Sequence, residues 1–339
     1  MRNTLSLSKS LLFLVAFSSL AYAAETLHIV GSSTVYPFSS AIAEELGAIT
    51  KHKTPLVEST GSGGGFKLFC SGTGKNTPDI TNASRRIKKK ELDMCAKNGA
   101  KDITEAIIGY DGIVVAQTKK NKDFSLTRKH LFLALAAKVP NTSNNKLIDN
   151  PYTKWNQIDA SLPNKKIRVY GPPTSSGTRD AFEELAMQSI SKKIELYKKA
   201  NFKKYSKVRE DGVYIPSGEN DNLIVQKLVK DTTAIGIFGY SFLQENAHKI
   251  KSISVEKKDP TMSNISSGDY PISRSLFFYI KNTAPSPAQT AYVQLFMNDS
   301  MIGADGYLSE LGLIPLEATM RAKIQKKVLA STKLTASDL

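Results

Sequence analysis

Serine, threonine and glycine cluster in three short segments, and each cluster stands where a strand pattern gives way to a helix pattern. The segments are Ser33-Thr34, Ser62-Gly63-Gly64-Gly65 and Ser175-Ser176-Gly177-Thr178. A helix N-terminus carries unpaired N–H groups and a partial positive charge, hydroxyls add donors, and glycine allows close approach of the backbone. One such turn is ordinary helix capping. Three of them, with arginines close behind two, predict a binding site for an oxyanion.

Other chemistries need motifs that these segments lack. Residues 61–67 superficially resemble a nucleotide-binding loop, but the Gly-Lys-Ser/Thr ending is absent because Phe66 precedes Lys67. Ser176 is not in the Gly-x-Ser-x-Gly turn of hydrolases, and the four histidines show no triad context. No His-Glu-x-x-His cluster indicates a catalytic metal. We therefore expect neither a cofactor nor a metal, and a serine hydrolase has little support.

The segments that flank these clusters alternate between strand and helix patterns. Residues 27–30 form an apolar strand, and apolar residues then recur at helical spacing until Gly47, which predicts a helix end there. A strand over residues 56–58 is followed by a predicted glycine-rich turn over 59–65, and a third such unit has its helix over 179–190. Repeated strand-turn-helix units predict an α/β fold with largely parallel sheets.

The first residues have the pattern of a removable secretory signal. Arg2 and Lys9 precede an apolar run over residues 11–20, and Ala21-Tyr22-Ala23 supplies the small residues of a cleavage site. The run is too short to span a bilayer, and no later apolar stretch is long enough. We expect residues 1–23 to be removed and the mature protein to be exported to the periplasm.

The chain is strongly basic. Its formal charge is +15, and removing Arg2 and Lys9 leaves 15 − 2 = +13. Such an excess favours an anionic partner, although lysines spread over solvated faces explain it equally well. No basic stripe with interleaved aromatic residues indicates nucleic acid.

Cys70 and Cys95 are the only two cysteines. In an exported chain an even pair predicts one disulfide, because a metal or redox site needs more ligands or a tighter spacing.

A series of motifs resembles the phosphate-binding proteins of the high-affinity bacterial phosphate ABC transporter (PstS/SphX-like) over nearly the whole mature chain. These motifs are Gly31-Ser-Ser-Thr-Val-Tyr-Pro37, Gly61-Ser-Gly-Gly-Gly-Phe-Lys67, Asp79-Ile-Thr-Asn-Ala-Ser-Arg85, Tyr110-Asp-Gly112, Ser175-Ser-Gly-Thr-Arg179, Glu219-Asn-Asp-Asn222, Ala234-Ile-Gly-Ile-Phe-Gly-Tyr240 and Tyr270-Pro-Ile-Ser-Arg274. The cysteine pair is similar to the disulfide of one branch of this family.

The resemblance implies a two-lobed periplasmic binding protein fold of type II, with two crossing hinge strands and the ligand in the cleft between the lobes. The crossings are expected near Ile113 and Leu276. Lobe one then combines residues 24–112 with 276–339, and lobe two is residues 113–275.

The resemblance also implies which residues contact phosphate. Lobe one contributes the candidates Thr34, Val35, Ser62, Gly63 and Ser84. Lobe two contributes Ser176, Gly177 and Thr178. Ser33 and Ser175 are further candidates from the hydroxyl-rich turns themselves.

The charged candidates depart from the pattern of the best-known members. Arg85 stands where those members carry an aspartate, and the arginine that they carry before the Ser-Gly-Thr turn is absent. Arg85 and Arg179 are therefore the candidate cationic contacts, since a guanidinium matches two phosphate oxygens. The alternatives are a surface ion pair for Arg85 and, for Arg179, pairing with Asp180 or Glu183 on its own helix.

A carboxylate in the site could select phosphate over sulfate. An ionised carboxylate can only accept hydrogen bonds, so it suits the proton of hydrogen phosphate and repels sulfate. Asp111 is the first candidate and Asp221 the second. Their alternative roles are a turn residue before Gly112 and a helix N-cap.

Together these features predict a periplasmic solute-binding protein, not an enzyme. It would capture inorganic phosphate as a monomer and deliver it to the permease of an inner-membrane ABC importer. Three alternatives stay open: a binder of another oxyanion such as sulfate, a secreted phosphatase-like hydrolase, and a cell-surface protein that binds polyanions through a basic face.

Overall fold

A computed structural model describes residues 26–141, 143, 145–174, 176–200, 207–218 and 222–339. The predicted leader and two candidate site residues, Ser175 and Asp221, lie outside the described residues. In the described ranges, no helix is both long enough and apolar enough to cross a bilayer.

Strands and helices alternate along most of the described chain. The strands are β1 (His28–Gly31), β2 (Leu56–Ser59), β3 (Ile80–Ala83), β4 (Ile103–Thr118), β5 (Ser125–Leu126), β6 (Lys138–Asn141), β7 (Lys146–Asp149), β8 (Val169–Gly171), β9 (Tyr214–Pro216), β10 (Ile235–Gly239), β11 (Ile250–Ser252), β12 (Ser254–Val255) and β13 (Ser273–Lys281).

Helices connect most of the strands. They are α1 (Tyr36–Ile49), α2 (Gly61–Phe69), α3 (Lys89–Lys97), α4 (Arg128–Leu135), α5 (Gly177–Phe182), α6 (Ser189–Ser191), α7 (Glu195–Lys199), α8 (Asn222–Lys230), α9 (Tyr240–Glu245), α10 (Met262–Ser266), α11 (Pro287–Phe296), α12 (Asp299–Ile302), α13 (Tyr307–Glu310) and α14 (Ala318–Leu329). A π-helical stretch, Glu183–Gln188, joins α5 to α6, and short 3-10 turns lie at Trp155–Gln157 and Ala336–Asp338.

One sheet runs through the whole molecule in the order β2-β1-β3-β13-β4-β10-β8-β9, with β11 also pairing with β4. The strands β1, β2 and β3 are parallel to one another, and so are β10, β8 and β9. The antiparallel strands β13 and β4 stand between these two parallel groups. The predicted α/β class is confirmed.

Buried apolar side chains form two large bodies along this sheet, and a third, smaller cluster includes the Cys70–Cys95 disulfide. On β4, Ala106 and Ile108 belong to the first body, whereas Ile113 and the residues after it belong to the second. On the returning chain, Ile272 belongs to the second body and Leu276 to the first. The two-lobed fold with two crossing strands is thus confirmed. The exact lobe boundaries stay a prediction.

Several predicted element ends were wrong. Helix α1 continues through Gly47 to Ile49, and the glycine-rich segment that was expected to be a turn forms the first half of α2. The helix expected over residues 179–190 begins at Gly177 and changes to π geometry at Glu183. Tertiary packing has overridden the usual helix-ending tendency of glycine at these positions.

Cys70 and Cys95 form the predicted disulfide, and both are buried. The bond joins the C-terminal end of α2 to α3. In the chain-entropy model, a loop of 25 residues contributes roughly 3 kcal/mol to the free energy of unfolding. The stabilisation arises because the bond restricts the unfolded chain.

Gly65 allows α2 to lie directly on β1. A β-carbon at position 65 would be 2.7 Å from Cα of Gly31, whereas one at Gly64 would have Cβ of Thr60 as its nearest neighbour, at 3.4 Å. We predict that Gly65→Ala lowers the free energy of unfolding by about 1–3 kcal/mol through overpacking. Gly64→Ala should be neutral or stabilising by up to about 1 kcal/mol, because alanine favours a helix. Urea denaturation compares the two variants, and equal stabilities would contradict the close packing.

Candidate functional site

The cleft residues of lobe one come from the carboxyl ends of neighbouring strands. β1 and β3 are parallel neighbours, so the segments that follow them emerge at the same edge of the sheet. This edge brings together the turn Ser32–Thr34 after β1, the start of α2 after β2, and Ser84 after β3. The hydroxyl oxygen of Ser62 accepts the Ser84 N–H at 3.0 Å and lies 3.2 Å from the Ser84 hydroxyl oxygen. Sheet topology thus supplies a group of converging hydroxyls.

These residues line the first of two cavities in the cleft. The first cavity has a volume of about 260 Å³. Its lining from lobe one and the hinge is Ser32, Ser33, Thr34, Gly61, Ser62, Gly63, Ser84, Arg85 and Arg274, and lobe two adds Asp180, Glu183, Glu184 and Gln188.

The second cavity shares Ser33 and Thr34 with the first and has a volume of about 450 Å³. Its lining includes Ser33, Thr34, Tyr36, Tyr110, Asp111, Ser176, Gly177, Thr178, Phe242 and Leu311. The turns of the two lobes touch here, since a β-carbon at Gly177 would lie 3.0 Å from Cα of Thr34 and 3.1 Å from the carbonyl oxygen of Ser33.

The structure brings most of the predicted site residues to these two cavities. Ser33, Thr34, Ser62, Gly63, Ser84 and Arg85 line the first cavity, and Asp111, Ser176, Gly177 and Thr178 line the second. Val35 is buried at the N-terminus of α1, and neither it nor Arg179 belongs to either described lining. The anion contacts themselves stay predictions.

Arg85 faces the first cavity with its guanidinium already paired. Nη1 and Nη2 donate to the two carboxylate oxygens of Glu91 at 2.9 and 2.8 Å, and the group lies 5.2 Å from the ring centroid of Phe66. The hydrogen bonds to Glu91 raise the pKa of Arg85. Arg85 therefore forms an ion pair with Glu91 at the edge of the cavity, which is the alternative to an anion contact that the sequence left open.

Arg179 belongs to the interior of lobe two. Its Nε donates to Glu183 Oε1 at 2.7 Å, Nη1 donates to the carbonyl oxygen of Pro172 at 3.4 Å, and the guanidinium lies 4.5 Å from the Tyr214 ring centroid. Pairing of Arg179 with Glu183, one turn later in the chain, is the alternative role that the sequence left open. The placement favours a packing role over an anion contact.

Arg274, on β13, is the cleft cation that sequence reasoning missed as a site residue. Nη2 donates to Thr34 Oγ1 at 2.7 Å, Nη1 donates to Glu184 Oε2 at 2.8 Å, and Nε donates to Asp111 Oδ2 at 3.3 Å. Only 8% of its side chain is exposed. Arg274 closes the Tyr-Pro-Ile-Ser-Arg motif, but no serine-glycine turn marks it, and Thr34 is 240 positions away in the sequence.

Asp111 lies directly opposite Arg274 in the pairing of β4 with β13. Burial raises the pKa of Asp111, and the adjacent Arg274 guanidinium offsets part of this increase. The position is therefore a hinge ion pair at the edge of the second cavity. Its role as acceptor of the hydrogen phosphate proton stays a prediction.

Two acidic side chains of lobe two also reach lobe one or the hinge. The Ser33 hydroxyl donates to Asp180 Oδ2 at 2.8 Å, and Glu184 receives the Arg274 bond. Among the described residues, no group of three or more histidine, cysteine, aspartate or glutamate side chains is arranged to hold a metal ion. The cleft is thus a polar site built from hydroxyls, arginines and carboxylates.

Comparison with known proteins assigns the chain. A family model for the PBP superfamily domain matches residues 18–300. Protein SphX of Synechococcus elongatus is 34% identical over 294 residues, which are 85% of this chain and 77% of the relative. The phosphate-binding protein PstS of Staphylococcus saprophyticus is 30% identical over 256 residues, 74% of this chain and 68% of the relative.

Solved structures agree with this assignment. A possible phosphate binding protein from Planctomyces limnophilus superposes with a TM-score of 0.73 at 29% identity, covering 91% of this chain and 99% of that chain. An ABC-type phosphate transport receptor from Vibrio cholerae shares the fold, with a TM-score of 0.59 at 20% identity over 86% of this chain and 100% of that chain.

The two lobes, the crossing strands and the polar cleft define a substrate-binding protein of the periplasmic binding protein class. Within the PBP superfamily, the chain belongs to the family of the SphX and PstS phosphate-binding proteins. This is a family of binding proteins and not a family of enzymes.

Proposed function

We propose that the protein captures inorganic phosphate in the cleft, where the first and second cavities meet at Ser33 and Thr34, and delivers it to an ABC importer. The observation that carries this proposal is that hydroxyls from three lobe-one segments line one cavity together with the Arg274 guanidinium, which donates to the Thr34 hydroxyl. The names of the relatives and of the similar structures supply the ligand and the transporter class.

The donor set suits a tetrahedral oxyanion. Serine and threonine hydroxyls can turn to donate, α2 begins beside them with free N–H groups, and a guanidinium matches two oxygens of one anion. The glycines at the start of α2 leave the backbone accessible. A cavity of about 260 Å³ has room for the anion and bound water molecules.

The hydrogen-bond partners of Ser33 and Ser62 support binding without catalysis. Activation of a nucleophile needs a base within hydrogen-bond reach that is oriented by a third group. The Ser62 hydroxyl has Ser84 as its partner, and Ser33 donates to the exposed Asp180. Neither arrangement provides such a relay, so the hydrolase alternative gains no support here.

We further propose that the protein acts in the periplasm as a monomer and docks to the permease of an inner-membrane importer. The predicted removal of residues 1–23 would release it after export, and the mature charge of +13 would favour encounter with anions. Closure of the two lobes on the ligand would provide the form that the transporter recognises.

Isothermal titration calorimetry on the processed protein tests the ligand directly. We expect one phosphate per protein, and sulfate in large excess should barely change the phosphate affinity. The physical reason is that carboxylates in the cleft accept the proton of hydrogen phosphate, whereas sulfate brings no proton. Comparable competition by sulfate would instead favour a general oxyanion binder. The observation that favours this second candidate is Arg85, which stands where the best-known phosphate-binding members carry an aspartate.

Asp111 is the predicted source of this selectivity. We expect Asp111→Asn to reduce the ratio of phosphate affinity to sulfate affinity, because the amide can donate a hydrogen bond to sulfate. The control is Asp149→Asn at an exposed position paired with Lys138, where the ratio should not change. An unaltered ratio in Asp111→Asn would transfer the role to another carboxylate, with Asp221 as the second candidate.

Arg274 should matter more for affinity than Arg85. Arg274→Gln removes a charged hydrogen-bond donor from the centre of the cleft and should weaken phosphate binding by about 1.5–3 kcal/mol. Arg85→Gln should have a smaller effect, because Glu91 already engages the Arg85 guanidinium. Titration calorimetry ranks the two variants once circular dichroism shows that each is folded. The reverse order would make Arg85 the principal cationic contact.

A further inference from the structure

The guanidinium of Arg274 has two carboxylate partners of different kinds. Asp111 is its paired neighbour across the hinge strands, and 16% of the Asp111 side chain is exposed. Glu184 reaches Arg274 from the π-helical stretch of lobe two, and 45% of its side chain is exposed. One partner is therefore part of the hinge framework, and the other is largely in water.

The two terminal nitrogens of Arg274 are both engaged. Nη1 donates to Glu184 and Nη2 donates to the Thr34 hydroxyl. These nitrogens form the edge that a guanidinium offers to two oxygens of an anion. The Thr34 hydroxyl can rotate and donate to a bound oxyanion, whereas the Glu184 carboxylate can only accept hydrogen bonds. An anion that takes this edge must therefore displace Glu184.

Asp180 of lobe two also occupies a polar group of lobe one, the Ser33 hydroxyl. Asp180 comes four residues before Glu184 and accepts the hydrogen bond of the Ser33 hydroxyl. Both residues line the first cavity together with the hydroxyls of lobe one. Carboxylates of one short segment of lobe two thus occupy a hydroxyl and a cation that the proposed phosphate would use.

We infer that Glu184 is a built-in competitor that sets the phosphate affinity by occupying Arg274 until the ligand displaces it. This inference rests on the proposed function. Glu184 is the partner that leaves, because its exposed carboxylate returns to water at little cost in solvation. Asp111 stays, because releasing it would leave a largely buried carboxyl without its cation.

The test compares two substitutions of Glu184 by phosphate calorimetry. Glu184→Gln removes the anion, and Glu184→Asp keeps the charge but ends one methylene short of Arg274. Both should bind phosphate more tightly than the wild type, Glu184→Gln by about tenfold, which is the lower end expected for one charged hydrogen bond. Glu195→Gln is the matched control for charge, because this exposed residue pairs with Lys198 on α7, and its affinity should stay within about twofold.

The outcomes separate competition from the other roles of a carboxylate. Weaker phosphate binding by Glu184→Gln would overturn the inference and make Glu184 a contact of the ligand. Unchanged binding would overturn it as well. Tighter binding by Glu184→Gln with wild-type affinity in Glu184→Asp would show long-range repulsion instead of competition at Arg274. Failure of the wild type to bind phosphate would refute the proposed function itself.

Discussion

The ion pair between Arg274 and Asp111 is the interaction on which the arrangement of the cleft depends. It joins the two strands that cross between the lobes, at positions directly opposite in their pairing. Because the pair lies at the hinge, Arg274 can touch Thr34 of lobe one and Glu184 of lobe two with one planar group. A cation at this point therefore contacts both lobes at once.

Much of the fold could be predicted because its signals are local. Strand-turn-helix units show in short apolar patterns, and two cysteines in an exported chain leave one pairing. The hydroxyl segments could be predicted too, since sheet topology brings the carboxyl ends of parallel neighbours to one edge. Helix ends were less predictable. The glycines of residues 61–65 indicate a turn by propensity, but contact between Gly65 and Gly31 favours a closely packed helix.

The charged part of the site could not be predicted in the same way. Arg85 and Arg179 stand next to serine-glycine segments, and proximity in sequence made them candidates. Each has a carboxylate partner four or six residues away, so short-range pairing takes up its guanidinium. Arg274 meets Asp111 and Thr34 only through pairings that span 163 and 240 positions. No local pattern contains that information, and the cation at the centre of the cleft became visible only in three dimensions.

Strand β4 belongs to both lobes, since its first part packs in one core and its last part in the other. Side chains alternate between the faces of a strand, so one residue inserted between Tyr110 and Asp111 would turn every later side chain of β4 to the opposite face. The last part of β4 is buried on both faces, with Ile113, Val114, Val115 and Ala116 in one core. The shift would therefore exchange side chains of different size between two packed surfaces, and Asp111 would lose its register with Arg274. The crossing segment should therefore tolerate a change of side chain far more readily than a change of length.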